Sequence, residues 1–139
     1  FEKISDGVYT DYAHHPEEIA ATIGVALEQA KIDDRKGVVA VYQPHQNTRQ
    51  HQVRSGYRDA FLGVDKIFWL PTYLTREDPS LPILTPSELI SELSNKTIAV
   101  PAELDSSLAA ALRQYVADGY LLLLMTAGPA DAWIRKIFS

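Results

Sequence analysis

Three of the four histidines, His14, His15 and His45, stand in polar stretches that directly follow β-rich apolar runs, and Asp11 and Arg49 accompany them. An imidazole titrates near neutrality and bonds through two distinct ring nitrogens. Three such rings reaching one edge would supply hydrogen bonds or charge to a ligand; singly, each can be a cap or turn residue. Aspartate is disfavoured inside a strand, so Asp11 asks for a partner. A carboxylate at a strand end can accept two hydrogen bonds from ribose hydroxyls, or it can be solvated or backbone-bonded on an edge strand. Arg49 falls in the first turn of a predicted helix, where the dipole opposes a cation. A guanidinium placed there points to a carboxylate or phosphate partner, whereas Arg54 and Arg58 read as solvated helix-face charges.

Other chemistries fit less well. His14, His15, His45 and Asp11 could be combined into a nitrogen–oxygen metal site, the basis for a small metal-dependent hydrolase. Adjacent strand residues point to opposite faces, however, which separates His14 from His15, and no metal is expected. There is no cysteine, which removes disulfides, thiolate catalysis and zinc–thiolate sites. Thr126-Ala127-Gly128-Pro129 matches neither a P-loop nor a dinucleotide fingerprint. Gly128 before Pro129 either brings helix-start amides toward an anion or forms an ordinary strand-to-helix turn.

The elements that must position these residues alternate along the whole chain. Runs 1–5 and 8–13 flank Asp6-Gly7, a two-residue hairpin signal. Helical spacing of Ile19, Ile23 and Leu27, with Pro16 in the first turn, predicts a helix over 16–31. Continuous apolar runs predict buried strands over 37–42, 66–70 and 120–125, and 97–100 reads as a further short strand. Helices are predicted over 48–61, from the capping box Thr85-Pro86-Ser87-Glu88 to about 93, over 103–117 and over 129–138. Strands alternating with helices pair in parallel through right-handed crossovers. The predicted fold is therefore a three-layer, Rossmann-like α/β sheet, mostly parallel, with one antiparallel strand from the N-terminal hairpin. In such sheets ligands bind outside the carboxyl ends of the strands, where His14, His15, His45, Arg49 and the 126–128 turn all fall.

With 139 residues and no internal repeat or linker, the chain reads as a single domain. It opens on Phe1 and directly on a strand pattern, which reads as a domain excised from a longer chain. A net charge of −5 and a pI near 5.3 argue against nucleic acid and anionic membrane as partners. The longest apolar run, 121–125, is far short of the roughly 20 residues that span a bilayer.

Asp11-Tyr12-Ala13-His14-His15-Pro16-Glu17-Glu18-Ile19 resembles the signature that opens the C-terminal domain of the Mur ligases, in particular those that join L-alanine to UDP-N-acetylmuramate and the related murein tripeptide ligases. Gln43-Pro44-His45 followed by Thr48-Arg49 is similar to a second element of that family. Tyr73 with Arg76-Glu77, and Phe1-Glu2, resemble two more, so the likeness runs the length of the chain. It implies a cytoplasmic, ATP-dependent amide ligase of peptidoglycan synthesis. In that family the central domain holds the ATP phosphates and magnesium, the N-terminal domain holds the UDP-sugar, and the C-terminal domain closes over both. An acyl phosphate forms on the muramate carboxylate and the amine of L-alanine attacks it. The resemblance places Asp11 at the ATP ribose, His14 and His15 along the nucleotide edge, and His45 and Arg49 facing the amino acid and the muramoyl end as catalytic residues. By itself the domain would be inactive. A non-catalytic Rossmann-like module that binds a nucleotide or partner is the alternative of a different class.

Overall fold

The computed structural model describes residues 1–139. Asp6-Gly7, with Gly7 at φ +76°, turns β1 (Glu2–Ser5) into β2 (Val8–Asp11). β2 stops short of the predicted residue 13 because Asp11 Oδ1 accepts the Ala13 N–H at 2.9 Å and turns the chain. α1 (Pro16–Ile32) starts with proline in its first turn and with Glu18 Oε1 accepting the His15 N–H at 3.1 Å. It buries Ile19, Ile23, Ala26 and Ala30. β3 (Val38–Tyr42), β4 (Lys66–Trp69), β5 (Ala99–Pro101) and β6 (Leu121–Met125) are the predicted strands. α4 (Ser106–Ala117), capped by Asp105 Oδ1 on the Leu108 N–H at 2.9 Å, and α5 (Ala130–Ile137) complete the set.

Two predicted helices end well before their patterns do, and α4 starts at Ser106, after its Asp105 cap, not at 103. The helix expected over 48–61 is α2 (Asn47–Val53), which tightens into a 3-10 turn at Arg54–Tyr57. Ser55-Gly56 is a weak helical pair, and Tyr57 is held by its own hydroxyl: it donates to Gln50 Oε1 at 2.5 Å and meets the Tyr42 hydroxyl at 2.7 Å. α3 (Pro86–Ile90) carries the predicted capping box, Thr85 Oγ1 accepting the Glu88 N–H and Glu88 Oε1 accepting the Thr85 N–H. It ends early where the Ser91 hydroxyl donates back to the Glu88 carbonyl.

The strands form one six-stranded sheet in the order β1-β2-β6-β3-β4-β5, antiparallel only at β1–β2. Alternate strand residues feed two cores. Val38, Ala40, Tyr42, Ile67, Trp69, Leu121 and Leu123 pack beneath α1, the 3-10 turn and α3. Val39, Val41, Phe68, Leu122 and Leu124 pack beneath α4 and α5. The three-layer, mostly parallel α/β arrangement expected from the alternation is the one observed. All five residues of β3 and all five of β6 are buried, as strands covered on both faces must be. No helix is long and apolar enough to cross a membrane.

β2 and β3 lead to helices on the first face, whereas β6, lying between them, leads to α5 on the second. The chain therefore parts on both sides of β6 at the carboxyl edge, and open α/β sheets bind ligands at such crevices.

Beneath that edge sits an aromatic knot. The Trp69 ring lies 4.9 Å from Tyr42, 5.1 Å from Tyr57 and 5.3 Å from Phe61, centroid to centroid. Burial pushes both phenols above their ordinary titration range, so they remain protonated donors. Tyr57→Phe removes the donor that satisfies the fully buried Gln50 carbonyl. It should destabilise the fold by about 1–3 kcal/mol, read as a lower urea midpoint with an unchanged slope; a midpoint equal to wild type would show that Gln50 finds another partner.

Candidate functional site

The first turn of α2 gathers the carboxyl-edge loops. Gln46, just before it, has φ +69°, a left-handed conformation seldom adopted outside glycine and asparagine. That conformation is held from across the edge. The Gln46 N–H donates to the Tyr73 carbonyl at 2.8 Å, the Tyr73 N–H to the Pro44 carbonyl at 2.8 Å, and Gln46 Nε2 to the Thr75 carbonyl at 3.2 Å. His45 and Tyr73 thus form a single parallel bridge beyond the ends of β3 and β4. Glu77 then receives the helix start: Oε2 accepts the Asn47 N–H at 3.0 Å, and Oε1 accepts the Thr48 N–H at 3.0 Å and the Thr48 hydroxyl at 3.4 Å. Its Oε2 also accepts the Thr75 N–H at 2.7 Å. Burial pushes the Glu77 carboxyl up, but the bonds from Thr75, Asn47 and Thr48 outweigh it and leave it below the usual carboxylate range. The Asn47 side chain fastens the far end of the same long loop, donating to the Pro82 carbonyl and accepting the Leu84 N–H.

Of the residues singled out in the sequence, this scaffold brings three together. The His14 and His45 rings lie 6.2 Å apart in an edge-on arrangement. Arg49 follows one residue after Thr48, close enough to act electrostatically on His45 and on the Tyr42 phenol. Burial, then His14 and Arg49, push the His45 pKa below the usual imidazole range, while Glu77 pulls the other way. His45 is therefore neutral at pH 7. Arg49 is half-buried, and its guanidinium makes no ion pair and no hydrogen bond within the chain. The dipole penalty on Arg49 is offset by the Glu77 carboxylate on the helix amides, which leaves the guanidinium's own donors free. A buried hydrogen-bond chain underlies the pair: Gln50 Nε2 donates to the His45 carbonyl at 3.1 Å, Gln50 Oε1 accepts from Tyr57, and the Tyr42 hydroxyl, beside Tyr57, lies 3.3 Å from the His14 carbonyl.

His15 does not join them; it begins α1, its backbone engaged by Glu18. His14 Nδ1 is 2.8 Å from the Tyr12 carbonyl. No group of three or more histidines, aspartates or glutamates is arranged to hold a metal ion. Asp11 stands in the crevice on the other side of β6, in a cavity of about 210 Å³ with Phe1, Glu2, Thr10, Tyr12, Asp131 and Arg135. Asp11 Oδ1 accepts the Ala13 N–H and the Thr22 hydroxyl, and Oδ2 lies 2.8 Å from the Phe1 nitrogen. Arg135 closes the wall, with two bonds of 3.0 Å to Glu2 and one of 2.8 Å to Asp131.

Gln43 is the residue whose role the spacing of polar groups did not reveal. Buried at the end of β3, it accepts the Thr126 hydroxyl at 2.8 Å and the Ala130 N–H at 3.3 Å, tying β3 to the start of α5. The first amide of α5 is thus met by a neutral carbonyl, which favours the plain-turn reading of Gly128-Pro129. A Cβ on Gly128 would lie 2.8 Å from Gln43 Oε1 and 3.0 Å from the Tyr73 ring, so the close approach requires glycine. A polar residue at the end of an all-apolar strand was the signal available for Gln43. For Asn47 and Gln50 it was their helical spacing ahead of Val53 and Tyr57.

A scan against protein-family models finds no match. Among curated proteins, the chain is 30% identical over 128 residues to a UDP-N-acetylmuramate–L-alanine ligase of Legionella pneumophila, covering 92% of this chain and 26% of that protein. It is 36% identical over 96 residues to the enzyme of the same name from Fusobacterium nucleatum, covering 69% of this chain and 19% of the relative. The enzyme of that name from Campylobacter curvus is 44% identical over 69 residues, 50% of this chain and 16% of the relative. The chain therefore spans between 16% and 26% of the length of these relatives. The two-crevice carboxyl edge, the order of the motifs and these identities agree: the chain belongs to the Mur ligases, in the family of the UDP-N-acetylmuramate–L-alanine ligases, and corresponds to their C-terminal domain.

Proposed function

We propose that the full-length protein is an ATP-dependent ligase that joins L-alanine to UDP-N-acetylmuramate in peptidoglycan synthesis, and that this chain contacts the nucleotide and the amino acid. The observation that carries the reading is Arg49: a half-buried guanidinium with no partner in the chain, beside a neutral imidazole, on an edge built to hold it in place. Arg49 pairs with the carboxylate of the incoming amino acid. His45, uncharged at pH 7, accepts a proton as the ammonium group becomes a nucleophile. Positioning and charge stabilisation are the work of such a site, assembled when the domain closes on the rest of the enzyme. His14 and His15, on the separate loop between β2 and α1, are assigned to the nucleotide edge.

The crevice beside β2 suits the nucleoside part of ATP. Asp11 offers a carboxylate at its wall, and Tyr12 presents a ring that is 73% exposed. The chain does not suit the phosphates or magnesium, having neither a glycine-rich cradle nor a cluster of acids or histidines able to hold the ion. Those belong to the central domain, and the UDP-sugar to the N-terminal domain. Bound ATP supplies the phosphoryl group that activates the muramate carboxylate. The murein tripeptide ligases would use the same edge for a longer peptide, and substrate choice separates the two.

Full-length protein should release ADP and phosphate only when both UDP-N-acetylmuramate and L-alanine are present. Release that requires a tripeptide instead would move it to the recycling enzymes, and no release with either would discard the ligase reading. Arg49→Ala should raise the KM for L-alanine by about ten- to a hundredfold, the loss of one charge-assisted contact, and Asp11→Ala should raise the KM for ATP. Normal turnover in both variants would remove them from the site. Because His45 must be neutral to accept a proton, kcat/KM for L-alanine should fall on the acid side with a limb below the usual histidine range. An identical limb in His45→Gln would assign that titration to another group.

A further inference from the structure

Resting on the reading of Arg49 above, we propose that Glu77 is the positioning residue for Arg49, holding the first turn of α2 in the one orientation that presents the guanidinium to the amino acid. The Glu77 carboxylate is the only side chain to accept the Asn47 and Thr48 amide N–H groups, the two that immediately precede Arg49, and it binds its own loop at Thr75 with the same oxygen that takes Asn47. The turn cannot be left to its own preference. Gln46 enters it at φ +69°, a strained conformation for a non-glycine residue. α2 itself is seven residues long, too short to be stable on propensity. Glu77 supplies what the turn lacks, acceptors for orphan amides and a negative charge at the positive end of the dipole. It makes no hydrogen bond or ion pair with Arg49 itself. The guanidinium is therefore aimed by Glu77 without being neutralised by it.

A carboxamide keeps the shape of this side chain but has one acceptor oxygen in place of two, so Glu77→Gln breaks the clamp with little loss of packing. In the full-length protein, Glu77→Gln should speed amide hydrogen exchange in a peptide covering 44–52 while the rest of the sheet keeps its protection. It should raise the KM for L-alanine by about tenfold and leave the KM for ATP within about twofold of wild type. In the Arg49→Ala background, Glu77→Gln should add little, because a residue acting through Arg49 has nothing left to position. Losses that multiply in the double variant, or a KM for ATP that rises in step, would overturn the assignment. Unchanged exchange over 44–52 would overturn it too, and that arm decides even if the protein proves to ligate something other than L-alanine. The sign of the pH effect follows from the depressed Glu77 carboxyl. Its contribution is complete above the ordinary glutamate range and is lost as pH falls through the lower folded value. Protection of 44–52 should accordingly begin to weaken as pH falls into the range in which a free glutamate titrates and be lost only below it.

Discussion

Everything at the carboxyl edge depends on how the chain satisfies the first amides of α2. A helix start leaves N–H groups that must be bonded, and here they are met by a residue thirty positions away in sequence. That makes the long 70–85 loop a structural part of the site. The loop is pinned at Tyr73, Thr75 and Glu77 against Pro44–Thr48, and at Pro82 and Leu84 against Asn47. Two loops that would separately be mobile become one surface, and the residues proposed to meet the amino acid stand on it.

Below that surface the polar and apolar parts of the molecule interlock. Gln50 and the Tyr42–Tyr57 pair lie inside the aromatic knot around Trp69, yet they run from the His45 carbonyl, which Gln50 bonds, to within 3.3 Å of the His14 carbonyl. A buried polar chain of this kind is favourable only when each member is satisfied. Gln50 bonds the His45 carbonyl from beneath, and the Tyr42 hydroxyl lies 3.3 Å from the His14 carbonyl, so both histidine-bearing loops rest on the same packed layer. Packing and site geometry are in this respect one arrangement.

The fold was readable because its signals are local. The all-apolar runs of β3 and β6, the Asp6-Gly7 turn and the Thr85–Glu88 capping box each act over a few residues, and each appears in the structure as its pattern implies. The overextended α2 was misread for the opposite reason. Val53, Tyr57 and Phe61 do face one core, but Tyr57 is also held by a hydroxyl contact with Tyr42 on β3 that no periodicity encodes. Residue types and the strand-end rule were enough to nominate His14, His45 and Arg49. Which of them meet was beyond that reasoning, since His14 and His15 are equivalent in sequence and only one turns toward His45. Glu77 and Gln43 act by accepting backbone N–H groups from distant segments, and such partners are invisible until the chain is folded.

The placement of β6 bears on the order in which this domain can be made. The last strand in sequence fills the centre of the sheet, between β2 and β3, and both crevices are formed against it. While the chain is being synthesised, β2 and β3 have no common neighbour, and each presents an open, strongly apolar edge until Leu121–Met125 has emerged. Chain growth alone cannot complete the sheet stepwise from the N-terminus; it must hold a gap and close it with its final strand. A nascent or truncated product lacking residues 121–139 would therefore lack both crevices and leave the facing edges of β2 and β3 unpaired.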